Sequence, residues 1–199
     1  MVREIKNAIW LSGHIGKCQQ IELVEEMRAV ARLAPMFHPE TRFGKKMSVR
    51  MTSAGRFGWV SDRRGYRYQA HHPGGAEWPP IPALVNSVWH EVTKLDRKPD
   101  SCLINYYSKA AKMGLHQDRD EASFDWPVVS ISLGDDALFR IGGLDRRDPT
   151  ESFWLSSGDV VVLQGESRLA YHGVDRVRFG SSRLLEGGGR LNLTLRVVD

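Results

Sequence analysis

From Ser101 onward the chain is cut into short extended segments at regular spacing, and that rhythm restricts the fold more than any other feature. The segments are CLINYY (102–107), PVVSISL (127–133), ALFRI (137–141), ESFWL (151–155), DVVVL (159–163), RLAYH (168–172) and RLNLTLRVV (190–198). They are rich in β-branched and aromatic residues and are divided by Gly and Asp turns. Many short strands in this arrangement predict an antiparallel sandwich or barrel.

The first hundred residues behave differently. Gln20 to Leu33 carries Ile21, Val24, Met27 and Ala31 at helical spacing, with Pro35 just beyond. Pro82 to Leu95 puts Leu84, Val85, Val88, Trp89, Val92 and Leu95 on one helical face. Neither linker nor repeat interrupts the 199 residues, so one domain spanning 1–199 is expected. Its class is α+β, mainly β, with two helices packed outside a barrel-like core.

Apolar runs stay far below the roughly 18 residues of a membrane-spanning helix, and the N-terminus has no signal-peptide pattern. A cytoplasmic location without a membrane partner is expected. Cys18 and Cys102 are too few and too far apart for a disulfide framework or a zinc pattern, and are expected to be buried free thiols.

Three residues stand out chemically in the β half. His116 and Asp118 form a His-x-Asp pair, and His172 follows at the expected end of a strand. Residues i and i+2 of an extended segment point the same way, so an imidazole and a carboxylate can hold one ion. Two His and one carboxylate make the facial triad of non-haem Fe(II) oxygenases, which leaves metal positions open. Alone the signal is weak, because His-x-Asp pairs are common and more often structural.

The last strand adds to it. Alternation in RLNLTLR puts Leu191, Leu193 and Leu195 on one face and Arg190, Asn192, Thr194 and Arg196 on the other. Two arginines aimed inward are costly unless an anion meets them, and a dicarboxylate with one end on a metal would do so. A strand with a solvated polar face is the plain alternative. Asn105 and Tyr107 share a face of CLINYY and could donate to carboxylate oxygens; a capping Asn and a core Tyr would look the same.

Charge distribution points to an anionic partner. The formal net charge is +4. Between Arg42 and Tyr68 lie Arg42, Lys45, Lys46, Arg50, Arg56, Arg63, Arg64 and Arg67 against the single acid Asp62, interleaved with Phe43, Phe57, Trp59, Tyr66 and Tyr68. Cations for phosphates and rings for bases suit single-stranded nucleic acid. A solvated basic face with a few packed aromatics is equally compatible with composition. Glycines and the HHPGG stretch suggest hairpins or a cover over 40–80.

The strings NYYSKAAKMGLHQDRDE, VSISLGDDALFRIGGLDRRDP, SGDVVVLQGESRLAYHGV and RLNLTLR, in that order, resemble the bacterial AlkB family of alkylation-repair dioxygenases. The resemblance runs from about Met47 to Val197 and is weaker before it. It implies a double-stranded β-helix, or jelly-roll, core over about 100–199 with a nucleotide-recognition lid over about 40–80. It implies Fe(II) on His116, Asp118 and His172, with 2-oxoglutarate and O₂ as cosubstrates. Asn105, Tyr107, Ser130, Arg190, Asn192 and Arg196 match the cosubstrate residues, Arg196 pairing with the far carboxylate and Arg190 and Asn105 lying near the metal-bound one. On the substrate side, Trp59 matches the aromatic that sandwiches a damaged base against His116. Tyr66 and Tyr68 match lid contacts to the nucleotide backbone, Asp120 the acid beside the exocyclic amine, and Arg146 a residue near the bound strand.

The implied activity is oxidative removal of alkyl groups from bases such as 1-methyladenine and 3-methylcytosine, with release of succinate, CO₂ and formaldehyde. The implied partner is single-stranded alkylated DNA, with RNA as the alternative, and no obligatory protein partner is indicated. Two departures are visible: Tyr106 stands where a basic residue is usual, and GSSRLLEGGGR is unusually rich in Gly. Rival readings are an oxygenase acting on a protein or small molecule, a nucleic-acid-binding module with a vestigial metal site, and a cupin-like metalloprotein that leaves both arginines unexplained.

Overall fold

A computed structural model describes residues 1–199. The chain opens with a hairpin, β1 (Val2–Ile5) and β2 (Ala8–Leu11), followed by α1 (Lys17–Leu33). Next come β3 (Arg50–Gly55), β4 (Gly58–Asp62), β5 (Gly65–Gln69) and α2 (Ala83–Thr93). The remaining strands are β6 (Ser101–Tyr107), β7 (Met113–His116), β8 (Val128–Gly134), β9 (Ala137–Ile141), β10 (Glu151–Leu155), β11 (Val160–Leu163), β12 (His172–Val177) and β13 (Arg190–Arg196). No helix is long and apolar enough to cross a membrane.

Seven strands form one antiparallel sheet in the order β1-β2-β11-β8-β13-β6-β3, and four form a second in the order β10-β9-β12-β7. The large sheet is apolar on both faces for different reasons. Ile104, Ile131, Leu133, Leu191, Leu193 and Leu195 point out and pack against α1 and α2 through Leu23, Met27, Val85 and Trp89. Leu103, Val128, Val161 and Leu163 point in and pack against Phe139, Ile141 and Val174 of the small sheet. This is the antiparallel sandwich with external helices that the strand rhythm predicts, in the jelly-roll form that the family resemblance implies.

The expected helices are present, but α1 docks on a different stripe. Its buried residues are Gln20, Leu23, Val24, Met27 and Val30, whereas Ile21 is 57% exposed. Two overlapping stripes share Val24 and Met27, and the sheet selects the one that also carries Leu23 and Val30. In α2 the buried residues are Val85, Val88 and Trp89, as expected, with Leu84, Val92 and Leu95 partly buried beside them.

Several boundaries differ from the sequence reading. RLAYH is not a strand: a 3₁₀ turn at Gly165–Ser167 leads into an irregular stretch, and His172 begins β12 rather than ending a strand. The Arg168 side chain explains it, being buried and hydrogen-bonded to the carbonyls of Trp126 and Asp118 at 2.8 and 2.7 Å, which an extended strand there would not allow. The segment 40–80 also divides. β3 is an edge strand of the large sheet, paired along β6, and only β4 and β5 form a separate hairpin. The Gly run before β13 has a steric cause. Gly187, Gly188 and Gly189 all have positive φ, and a Cβ on Gly189 would lie 2.7 Å from the Tyr106 hydroxyl. Tyr106 faces away from the cavity, packed on the outer core, and its hydroxyl donates to the Gly188 carbonyl. Cys18 is exposed, against expectation, while Cys102 is buried; both are free.

Candidate active site

All fourteen residues singled out in the sequence line one cavity of about 670 Å³ between the two sheets and beneath the β4–β5 hairpin. Its metal-ligand cluster is His116 at the end of β7, Asp118 two residues on, and His172 at the start of β12. β7 and β12 pair with His116 directly opposite His172, which brings the rings to 4.6 Å between centroids. Gly173 permits this approach, since a Cβ there would meet the Met113 carbonyl oxygen at 2.6 Å.

Both imidazoles are oriented by their own strands. Nδ1 of His116 lies 2.9 Å from the Gly114 carbonyl and Nδ1 of His172 lies 2.9 Å from the Ala170 carbonyl. Each ring therefore carries its proton on Nδ1 and presents a free Nε2 lone pair, the arrangement a metal-binding histidine needs. Those Nε2 atoms face the two oxygens of Asp118 at 3.8 and 3.7 Å. Burial lowers the His172 pKa to about 4, assisted by the neighbouring His116, so the ring is neutral at physiological pH. Burial acts to raise the Asp118 carboxyl, but Arg196, His172 and His116 outweigh it and hold it well below the usual carboxylate range. Two imidazole Nε2 atoms and one carboxylate thus stand together as ligands.

The floor is the inner face of β13, an interior strand between β8 and β6. Arg190 is 1% exposed and Arg196 5% exposed, so neither lies on a solvated polar face. Arg190 donates to Ser132 Oγ at 2.8 Å, and Asn192 donates to Ser130 Oγ at 2.7 Å. Asn105 and Tyr107 of β6 lie opposite Asn192 and Arg190 in register. Burial pushes the Tyr107 hydroxyl up to about 12 and brings Arg190 down to about 10, so Tyr107 is a neutral donor and Arg190 a cation at neutral pH.

The two arginines lie the opposite way round from expectation. Nη2 of Arg196 sits 2.7 Å from Asp118 Oδ1, at the metal-ligand end, and Arg190 is at the far end beside Tyr107 and Ser132. The strand's direction, invisible in an isolated heptapeptide, decides this. Six residues of extended chain separate the two by about 20 Å of backbone.

Six buried polar atoms on this floor lack a hydrogen-bond partner: Arg190 Nε and Nη1, Arg196 Nε and Nη1, Asn105 Oδ1 and Asp118 Oδ2. Each unmade bond costs about 1–3 kcal/mol. An ion and a dicarboxylate would satisfy cationic N–H groups at both ends and a free carboxylate oxygen, so the donor set fits both groups.

The family follows from this geometry together with sequence comparison. Residues 7–196 match the model of the 2OG-Fe(II) oxygenase superfamily. A Caulobacter vibrioides protein named alpha-ketoglutarate-dependent dioxygenase AlkB homolog is 55% identical over 94% of this chain and 86% of its own length. This chain belongs to the AlkB family. The Escherichia coli alpha-ketoglutarate-dependent dioxygenase AlkB is 41% identical over 88% of this chain and 83% of that protein. A solved structure described as that of OsALKBH1 superposes with a TM-score of 0.85 at 29% identity, covering 98% and 99% of the two chains. The protein is an Fe(II)- and 2-oxoglutarate-dependent dioxygenase.

The roof is built from the hairpin. Trp59 stacks on Tyr66 with centroids 5.5 Å apart, and its indole N–H donates to Asp120 Oδ2 at 2.9 Å. Tyr68 is half-buried and its hydroxyl donates to Glu121 Oε1 at 2.7 Å. Arg146 lies on the cavity wall, 5.9 Å from the Tyr171 ring. Part of the basic surplus is engaged elsewhere: Arg64 and Arg67 pair with Asp62, and Arg56 pairs with Asp199. Two buried charged residues escaped the sequence reading, Glu121 and Arg168, which pair at 3.2 Å. Their only signal was an acid and a base inside otherwise assigned strings, HQDRDE and SRLAYH.

Proposed function

We propose that this protein reverses alkylation damage by oxidatively removing alkyl groups from bases such as 1-methyladenine and 3-methylcytosine in single-stranded DNA or RNA. His116, Asp118 and His172 hold Fe(II). Arg196 meets the 2-oxoglutarate carboxylate nearest the metal, Arg190 and Tyr107 meet the far one, and Asn105, Asn192 and Ser130 line the space between. The metal and cosubstrate, when bound, would supply the O₂ activation needed to oxidise the N-alkyl carbon, with succinate, CO₂ and the restored base as products and formaldehyde released from a methyl group. The protein supplies orientation and excludes water.

The observation that carries this reading is the roof: Trp59, Tyr66 and Tyr68, on a hairpin bounded by cations, line the same cavity as the three metal ligands. A flipped base enters between Trp59 and His116. Lesions of this kind are cationic and pair poorly, so they cost less to extrude, and aromatic faces together with Asp120 attract their charge. Arg146 and Tyr66 lie where the strand beside the flipped base would run. We read residues 1–199 as one catalytic domain acting in the cytoplasm, without an obligatory protein partner.

A second substrate has specific support. An Arabidopsis thaliana relative, 32% identical over 92% of this chain but 44% of its own length, is named DNA N(6)-methyladenine demethylase ALKBH1C. The deciding assay supplies Fe(II), 2-oxoglutarate and air with oligonucleotides carrying 3-methylcytosine or N6-methyladenine, and His116→Ala as control. Restored cytosine with formaldehyde, lost in the variant, is the expected result. Repair of the N6-methyl substrate alone would replace the first reading with the second.

A further inference from the structure

At the metal-ligand end of the cavity, four charged side chains are packed together almost without solvent. The side chains of Glu121 and Arg168 are 1% and 3% exposed, and those of Arg196 and Asp118 are 6% and 7% exposed. Two acids and two bases balance, which is what makes such burial tolerable. Glu121 is the hub. Its Oε2 takes Arg168 Nη2 at 3.2 Å, while its Oε1 takes the Tyr68 hydroxyl at 2.7 Å and lies 3.2 Å from Arg196 Nε. Arg168 is itself fixed to the carbonyls of Asp118 and Trp126, so Glu121 rests on an immobile base.

We infer that Glu121 is a positioning residue that holds Arg196 for the cosubstrate and ties that guanidinium to the lid through Tyr68. Arg196 stands between two carboxylates, Asp118 on its Nη2 and Glu121 on its Nε edge. Without Glu121 the guanidinium would be free to turn fully onto Asp118, which has to serve the metal. With Glu121 paired to the Nε edge by charge, the buried Nε and Nη1 both remain without a hydrogen-bond acceptor, so the guanidinium keeps N–H groups available for an anion. Tyr68 belongs to β5, so the carboxylate that steadies Arg196 is also the one that receives the lid hairpin. The charge on Arg196 is secure: burial disfavours it, and the carboxylates of Asp118 and Glu121 more than compensate. Lid docking and cosubstrate binding then favour each other, and such coupling acts equally in both directions.

This inference rests on the dioxygenase reading of the cavity, and its test separates the two. Affinity for 2-oxoglutarate is measured without O₂, from the visible charge-transfer band of the Fe(II) complex, in wild type, Glu121→Gln, Tyr68→Phe and the double variant. Glu121→Gln is expected to weaken 2-oxoglutarate about 10-fold, within the range seen when groups behind metal sites are lost. Tyr68→Phe is expected to weaken it about 3-fold, and to add nothing further in the Glu121→Gln background, because both act through one link. Additive losses, or wild-type affinity in Glu121→Gln, would overturn the inference and leave the dioxygenase intact. No band in the wild type would overturn both. Should Glu121→Gln fail to fold, Tyr68→Phe decides: unchanged 2-oxoglutarate affinity in that variant would overturn the link.

Discussion

The floor and the roof of the cavity are built on different principles. The floor is β13, flanked on both sides by hydrogen-bonded strands and buried on both faces, so each side chain has one direction in which to point. The roof is a two-stranded hairpin outside both main sheets, tied to the metal-ligand loop by Trp59 to Asp120 and Tyr68 to Glu121. Rigid placement suits groups that hold an ion and a small cosubstrate. A lightly tied cover suits a bulky polymer that must enter and leave. Changes in the floor should therefore disturb cosubstrate and stability, and changes in the roof should disturb nucleic acid, except at Tyr68, which reaches the cosubstrate side through Glu121.

The largest effect expected is at the floor. Arg190→Leu removes the buried cation beside Tyr107 and should weaken 2-oxoglutarate by at least 100-fold, about 3–5 kcal/mol, with nucleic-acid affinity unchanged. Calorimetric titration with 2-oxoglutarate, and oligonucleotide binding by anisotropy, would reveal a loss in the wrong column.

Next comes acid sensitivity of the metal-free protein. The folded His172 binds its proton only near pH 4, whereas the unfolded ring binds it near 6.5, so the unfolded state takes up more protons in that window. Stability is therefore full above 6.5 and falls as pH drops toward 4, by about 3 kcal/mol from this residue. Urea titrations of wild type and His172→Gln across the window should diverge in slope; parallel curves would remove His172 as the cause.

Roof effects are smaller. Trp59→Ala removes the exposed stacking face and should weaken methylated oligonucleotide about 10-fold, in line with roughly 1–3 kcal/mol for a base on an aromatic ring, with 2-oxoglutarate affinity held. An equal loss of both ligands would erase the division between floor and roof. The smallest change is Lys46→Ala, an exposed cation without an ion-pair partner, which should lower the salt slope of oligonucleotide binding by about one and leave activity at low salt nearly unchanged.

Legibility in the sequence follows the same division. The β13 alternation was readable because a strand's period of two is local, and burial of Leu191, Leu193 and Leu195 outward forces Arg190, Asn192, Thr194 and Arg196 inward. His116 and Asp118 were readable for the same reason, and His172 only through the family resemblance, since no local pattern links it to a residue 54 positions earlier. The α1 stripe was misplaced because two stripes overlap and only the sheet chooses. RLAYH looked extended because a buried arginine is indistinguishable from an exposed one in a string. β1 and β2 escaped notice because four-residue strands at a sheet edge carry too little pattern.

By itself, then, the chain's sequence determined its class as an antiparallel sandwich or barrel with external helices, the residue types that meet in the cavity and the face of each strand that supplies them. These are consequences of backbone periodicity, which acts over a few residues. The tertiary structure alone decided which arginine stands at the metal end, that β3 completes the large sheet while β4 and β5 form the roof, and that Glu121 joins Arg168, Arg196 and Tyr68. Those outcomes depend on strand direction and on polar and charged groups meeting across 47 to 78 positions of sequence, where burial and Coulomb attraction choose the partners.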